Sequence, residues 1–279
     1  MIPYIISVPD YYNGSAGIRL LHKLCHDLNS SGCEAYVTAK VTNKKWNTPT
    51  LTGGQFEYLA STGANVLYPE IIRGNPLFAK RIIRYLQQYI GFMGGDTVYD
   101  KNVTIFVYSK IFLRPGWPKE NILMQSVIEP ELFNMKGVGP RKFATYYFGK
   151  KDIDNNIKRG IKETEIVRII QRLPFCKPET REEVADLLKK SKILYCYDDL
   201  TAMIDEARLC GCPVVIYSNR YNRAFYRKNI GGDGGLAMGD SPNEIAYAIA
   251  TIKNFREKYK KIWEDYPKQL KHFIEVTQK

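Results

Sequence analysis

Short apolar runs alternate along this chain with longer amphipathic ones. YIISVP (4–9) is apolar and β-branched and predicts a strand. A polar, glycine-containing loop follows at 10–17. In IRLLHKLCHDLNSSG (18–32), Ile18, Leu21, Leu24, Cys25 and Leu28 recur at helical spacing, and the run stops at Asn29 to Gly32. EAYVTA (34–39) is a second strand, completing a βαβ unit. ANVLYPEI (64–71) reads as a strand. Pro76 then opens a predicted helix, LFAKRIIRYLQQYIGF (77–92). VTIFVYS (103–109) and NILMQSV (121–127) read as two more strands.

The pattern restarts at 141. FATYYFG (143–149) and EIVRIIQR (165–172) are strand-like, and TREEVADLLKKS (180–191) is a helix capped by Thr180. KILYCY (192–197), LTAMIDEARLC (200–210) and PVVIY (213–217) read as strand, helix and strand. Residues 241–279 are helical and charged, broken near Pro267, with Ser241 and Glu244 as a capping box. Strands alternating with helices in both halves predict an α/β fold with parallel sheets. Two Rossmann-like domains follow, over 1–140 and 141–255, with helices at 256–279 crossing back to the first. A ligand is expected in the cleft between them, beyond the carboxyl ends of the strands.

Composition narrows the class. With 279 residues, 44% hydrophobic and 25% charged, the chain is a globular protein rather than a disordered one. Its net charge of +12 points to a polyanionic partner: a phosphorylated substrate, an anionic membrane or nucleic acid. No uncharged apolar stretch is long enough to span a bilayer. MIPYIISVPD lacks the basic start of a secretory signal, so the cysteines are expected to be reduced thiols in the cytoplasm.

The chemistry concentrates in YCYDDLTAMIDEARLCGCPVVIYSN (195–219). Asp198, Asp199, Leu200 and Thr201 form a turn from strand into helix, where free N–H groups suit a phosphate. Glu206 lies about two turns further on, and a carboxylate there accepts from vicinal hydroxyls. By spacing alone, a simpler arrangement stays open: Asp198 or Asp199 caps the helix and Glu206 lies on its solvated face.

This stretch resembles the nucleotide-sugar signature of GT-B glycosyltransferases, in particular the bacterial group 1 or family-4-like enzymes of surface polysaccharide (lipopolysaccharide or capsule) biosynthesis. Those carry an acid, seven residues, then Glu, followed by Ala and a Gly-x-Pro-Val turn. Here these are Asp198, Glu206, Ala207 and Gly211-Cys212-Pro213-Val214. The first acid is usually Glu, so Asp198 departs from the commonest form. The resemblance implies that Glu206 holds the donor's ribose and that Asp198, Asp199, Leu200 and Thr201 reach phosphate or sugar. FATYYFGKK resembles the first strand of the nucleotide-binding half, which implies Lys150, then Lys151, as contacts of the donor diphosphate. ISVPDYYNGSAG resembles the N-terminal loop of the class, with Gly14, Ser15, Ala16 and Gly17 approaching phosphate or acceptor. YPEIIRGNPL (68–77) brings Glu70, Arg73 and Asn75 near the cleft.

The implied activity is transfer of a hexose from a nucleotide-diphosphate sugar to a hydroxyl of a glycan or lipid-linked glycan. It needs no cofactor and no metal, and the family-4-like signature favours retention over inversion without deciding between them. An inverting enzyme would use a carboxylate base in the N-terminal half, and Asp10 is the candidate. Two other classes remain open: a sugar-nucleotide epimerase of the same fold, and a non-catalytic basic module for polyanions or membrane. The basic C-terminal helices suit peripheral contact with an anionic inner-leaflet membrane. The sequence carries no nucleic-acid-binding motif. His22, Cys25 and His26 share a helical face but lack a fourth zinc ligand, and Cys210-Gly-Cys212 is read as packing. IGGDGGLAMGD (230–240) is read as a mobile loop near the donor, with Asp233 as a candidate contact.

Overall fold

The computed structural model describes residues 1–149, 167–170, 178–217, 220–229 and 231–279. The chain divides into two compact units. Unit 1 is Met1–Val127 with Ile262–Lys279, and unit 2 is Ile128–Lys261. Each contains one parallel sheet of five strands.

In unit 1 the strands are β1 (Tyr4–Ile6), β2 (Ala35–Val37), β3 (Asn65–Pro69), β4 (Arg81–Leu86) and β5 (Thr104–Val107), in the order β2-β1-β3-β4-β5. A parallel sheet is stable when both faces are covered. Alternation along β1 shows how: Tyr4 and Ile6 join Leu20, Leu24, Leu28 and Phe273 on one face. Ile5 joins Phe56, Ala60 and Val66 on the other. Helix α1 (Ala16–Ser30) is the apolar stripe expected from its spacing, capped by Ser15. Helix α2 (Gly53–Thr62) covers the opposite face and was not legible, because only Phe56 and Ala60 of its ten residues are buried.

The predicted helix at 77–92 is instead strand β4. Its RIIRYL core pairs with both β3 and β5, and sheet pairing overrides a helical spacing that short apolar runs share with strands. Pro76 lies in a turn closed by Asn75, whose Oδ1 accepts from the Ala79 amide at 2.8 Å. Residues 121–127 form an isolated bridge to Val107 rather than a strand.

Unit 2 holds β6 (Phe143–Tyr147), β7 (Val167–Ile170), β8 (Ser191–Cys196), β9 (Val214–Ile216) and β10 (Leu236–Met238), in the order β10-β9-β8-β6-β7. Its described helices are α3 (Arg181–Lys190), α4 (Ala202–Leu209), α5 (Arg223–Lys228), α6 (Pro242–Thr251) and the start of α7 (Lys253–Thr277). Thr180 and Glu183 form a capping box on α3. Arg141 donates to Leu188 O, Lys189 O and Ser191 O at the end of α3, and to Cys210 O at the end of α4. One guanidinium thereby satisfies the orphan carbonyls of two helices. The Ser241 hydroxyl caps α6 as expected, but Glu244 does not complete a box. Its carboxylate turns to Arg223 and the Met238 amide.

Helix α7 runs unbroken through Pro267, with the break falling before Lys253 instead. Proline removes one backbone bond, and tertiary contacts on both sides of it keep the helix continuous. Tyr266 donates to Asp27 Oδ2 at 2.8 Å, and Gln269 accepts from the Met124 amide at 2.6 Å. Further along, Gln278 exchanges two hydrogen bonds with the Ile2 backbone, and Tyr4 shares one with Thr277. Asp27 is the hub of this docking, since Lys23 and Gln125 also donate to it. Asp27→Ala leaves those donors unmet. It is expected to lower the stability of unit 1 by about 2–4 kcal/mol, read as a lower urea midpoint with unchanged secondary structure by circular dichroism.

Candidate functional site

The Asp198–Thr201 turn stands at the carboxyl end of β8, beyond Cys196. The sequence makes the turn locally. Asp198 Oδ1 accepts from the Leu200 amide at 3.3 Å, the bond that favours aspartate in turns. Thr201 is the N-cap of α4, accepting from the Met203 amide at 3.3 Å. Asp199 is buried, with its Oδ2 3.7 Å from Arg220 Nε and its carbonyl accepting from the Tyr226 hydroxyl.

Gly149 ends the segment after β6 with φ +73. A methyl group there would overlap the Asp198 side chain, with Oδ2 at 2.6 Å. Glycine is required for both reasons, and it brings the ends of β6 and β8 together at the turn. Lys150 and Lys151 lie outside the described residues.

Glu206 is not on a solvated face. It is fully buried, and its Oε1 accepts from Arg181 Nη2 at 2.8 Å. Arg181 opens α3, reaches Glu129 Oε2 at 3.3 Å and stacks on the Phe133 ring at 4.4 Å. Burial works to lower its pKa, but the charge and hydrogen bond of Glu206, then those of Glu129, outweigh burial and raise it. Arg181, Glu129 and Phe133 were not singled out in the sequence. They lie 25 or more residues from Glu206, and no local pattern links them. Flanking Glu206 on the same helix, Asp205 and Arg208 form a second buried pair at 2.6 Å. Burial raises the carboxyl of Asp205 and lowers the guanidinium of Arg208, each resisted by the other's charge.

The glycine-rich segment is clamped inward. Arg208 Nη1 donates to Gly232 O at 2.8 Å and to Gly234 O at 3.2 Å, and its guanidinium lies 3.5 Å from the Phe255 ring centre. Asp233 Oδ2 receives Arg223, Arg227 and Tyr247. Its charge is thus committed to α5 and α6, and the segment supplies strand β10.

In unit 1, Ser15 caps α1, accepting from the Ile18 amide at 3.4 Å. Gly14 lies against Tyr12, and a methyl at Gly17 would sit 2.6 Å from Gln87 Oε1. Asp10 is exposed and clamps a loop, its Oδ1 accepting from the amides of Lys40 at 2.7 Å and Val41 at 2.9 Å. Those two amides hold its pKa below the ordinary value. Glu70 is buried, accepting from the Gln87 amide. Arg73 is exposed, while Asn75 pins the turn that follows it.

Cys25 is a core residue whose thiol burial pushes up to about 12, and His22 and His26 face Pro9 O and the Asn47 amide. Cys210 and Cys212 are free, buried and likewise pushed up to about 12. Among the described residues, no group of three or more His, Cys, Asp and Glu side chains is arranged to hold a metal ion. No described helix is long and apolar enough to cross a membrane.

Two expectations follow. Gly149→Ala forces a strained backbone against Asp198. It should lower the melting temperature of unit 2 by several degrees, through about 2–4 kcal/mol of strain and overlap. Asp233 tests the clamp. Burial alone would raise its carboxyl, but hydrogen bonds from Tyr247, Arg223 and Arg227 bring it below 3.8. A carboxyl depressed in the folded state contributes stability above its unfolded value, and that contribution is lost as pH falls through the folded value. Urea midpoints should therefore fall on acidification from about pH 5 to about pH 2, and less steeply in Asp233→Asn.

No family model and no curated protein sequence matches the chain. Solved structures do match in fold. A glycosyltransferase from Rickettsia africae aligns with 99% of this chain and 98% of its own, at TM-score 0.56 and 10% identity. WaaG, a glycosyltransferase involved in lipopolysaccharide biosynthesis, aligns with 99% of each chain, at TM-score 0.53 and 10% identity. This chain is therefore built on the GT-B fold of glycosyltransferases, with two Rossmann-like units that each carry an all-parallel sheet.

Proposed function

We propose that this chain is a glycosyltransferase. It moves a hexose from a nucleotide-diphosphate sugar to a hydroxyl of a glycan or lipid-linked glycan of a bacterial surface polysaccharide. The observation that carries this reading is the Asp198–Thr201 turn, at the carboxyl end of a parallel strand, in a fold shared end to end with glycosyltransferases. In such sheets the carboxyl ends are where ligands bind. The amides at the start of α4 suit the diphosphate, and Glu206 accepts from the ribose. Lys150, with Lys151, neutralises the leaving diphosphate without a metal.

The route we favour is retaining. A base works best with a pKa near the operating pH, and the two backbone amides on Asp10 push it the other way. The enzyme acts at the cytoplasmic face of the membrane. Exposed lysines of α7, among them Lys253, Lys260, Lys261, Lys268 and Lys271, support contact with anionic lipid there.

The test is a thermal-shift series with UDP, GDP, CMP, ADP, dTDP and their sugars. One nucleotide family should raise the melting temperature of the wild type and not that of Glu206→Ala. Loss of sugar transfer in EDTA would overturn the metal-independent route. Asp10→Asn keeps the Oδ1 acceptor and so the loop, and should retain transfer within about threefold, since a lost general base costs roughly 100-fold or more.

A further inference from the structure

Exposed apolar side chains are not spread evenly over this chain. Among the described residues ten large ones are exposed, and five of the ten fall within 71–98: Ile71, Phe78, Phe92, Met93 and Val98. All of these but Phe78 lie on two loops at the carboxyl edge of the first sheet, one after β3 and one after β4. The loops are fastened to each other. Asp96 Oδ2 accepts from the Gly74 amide at 2.8 Å and from Arg84 Nη2 at 3.0 Å. A methyl at Gly95 would sit 1.8 Å from the Glu70 carbonyl oxygen, so the second loop lies directly on the first.

Phe92 and Met93 occupy the tip of a tight turn at 91–94, closed by the Gly94 amide on Gly91 O at 3.4 Å. Gly91 and Gly94 supply positive φ at its two ends, +77 and +92. The chain then folds back, because a methyl at Gly91 would meet Thr97 at 3.1 Å, and this places Val98 beside the tip. Turn centres ordinarily hold Gly, Asn, Asp or Ser. Here the backbone holds bulky apolar groups out in water, with Met93 46% and Val98 81% exposed. The base of the loop is packed: the Tyr89 ring meets Phe112 edge-on at 5.0 Å, and Arg114 donates to Thr97 O at 3.4 Å.

The surroundings are strongly basic. Residues 71–119 hold eight lysines and arginines against two aspartates and no glutamate. One of those aspartates, Asp96, is paired with Arg84. Arg73, Lys101, Lys110 and Arg114 are exposed. An anionic bilayer meets both features, with headgroup charge for the basic rim and an apolar layer beneath it for the tip. A second copy of this chain would set the same positive rim against itself. A nucleic acid would meet the charge but leave Ile71, Met93 and Val98 in water, since they have no aromatic face on which a base stacks.

We propose that the turn at 91–94, with Ile71 and Val98 beside it, is a tip that inserts into an anionic membrane, while Arg73, Lys101, Lys110 and Arg114 rest on its headgroups. This deepens the proposed contact with anionic lipid and rests on that reading: it names the part of the chain that enters the bilayer. Lysines on α7 add attraction, whereas the tip adds anchorage that depends on buried apolar area.

The experiment is co-sedimentation of the full chain with vesicles of phosphatidylcholine alone and of phosphatidylcholine mixed with phosphatidylglycerol. The wild type should bind the mixed vesicles at least about fivefold more tightly than the neutral ones. Met93→Ser with Val98→Ser removes apolar surface and no charge, and it should weaken binding to the mixed vesicles by about tenfold. Lys101→Gln with Lys110→Gln should weaken it by about tenfold as well, and leave binding to neutral vesicles unchanged. All these side chains are exposed, so both double variants should melt within about 2 °C of the wild type. They should also keep its nucleotide-induced thermal shift.

Equal binding of the wild type and the serine variant to mixed vesicles would overturn the inference and leave lipid contact through α7 standing. Failure of the wild type to bind either vesicle would remove lipid contact altogether, and the nucleotide-induced shift would then decide the glycosyltransferase reading by itself. A concentration-dependent dimer in sedimentation velocity, dissociated by the serine pair, would overturn the inference in favour of self-association.

Discussion

The structure depends on the burial of two parallel sheets on both faces. Parallel strands cannot leave one side to solvent as an antiparallel sheet can, so every strand needs helices above and below it. That requirement explains why the strands are nearly continuous apolar runs and why α1 and α2 lie on opposite faces of the first sheet. It also explains why the C-terminal part of α7 is fastened to unit 1 by Asp27, Asn65, Thr277 and Gln278. The crossover helices enter at the carboxyl edge of each sheet. Turns such as Asp198–Thr201 collect there.

The second organising feature is the buried guanidinium. Arg84 holds the carbonyls of Ile72 and Gly74 together with Asp96. Arg141 gathers the ends of α3 and α4. Arg208 clamps the glycine-rich segment, and Arg181 holds Glu206. A charge out of water is costly unless its hydrogen-bonding capacity is met. Each guanidinium therefore fixes the several groups that meet it, turning irregular loops into defined geometry.

Much of this was legible. The βα alternation, the stripe and cap of α1, the capping box of α3 and the turn at 198–201 follow from local pattern, because each is built by neighbours a few residues apart. The failures share one cause. RIIRYL is helical by spacing and a strand by pairing. Pro267 should break a helix, yet packing on both sides carries it through. Glu244 completes a capping box on paper and serves Arg223 in the fold. Asp233 looks like a contact of a mobile loop and is the centre of a clamp. In each case a partner distant in sequence outbid the local preference.

By itself, the sequence determined the class of fold, the position of the carboxyl-edge turn and the acids that lie in and just after it. These are consequences of periodicity and short-range hydrogen bonding, which act within one element. Only the tertiary structure decided what those acids touch. Burial raises the cost of an unpaired charge steeply, so the partner of Glu206 had to come from another helix. No spacing along the chain records which guanidinium that is.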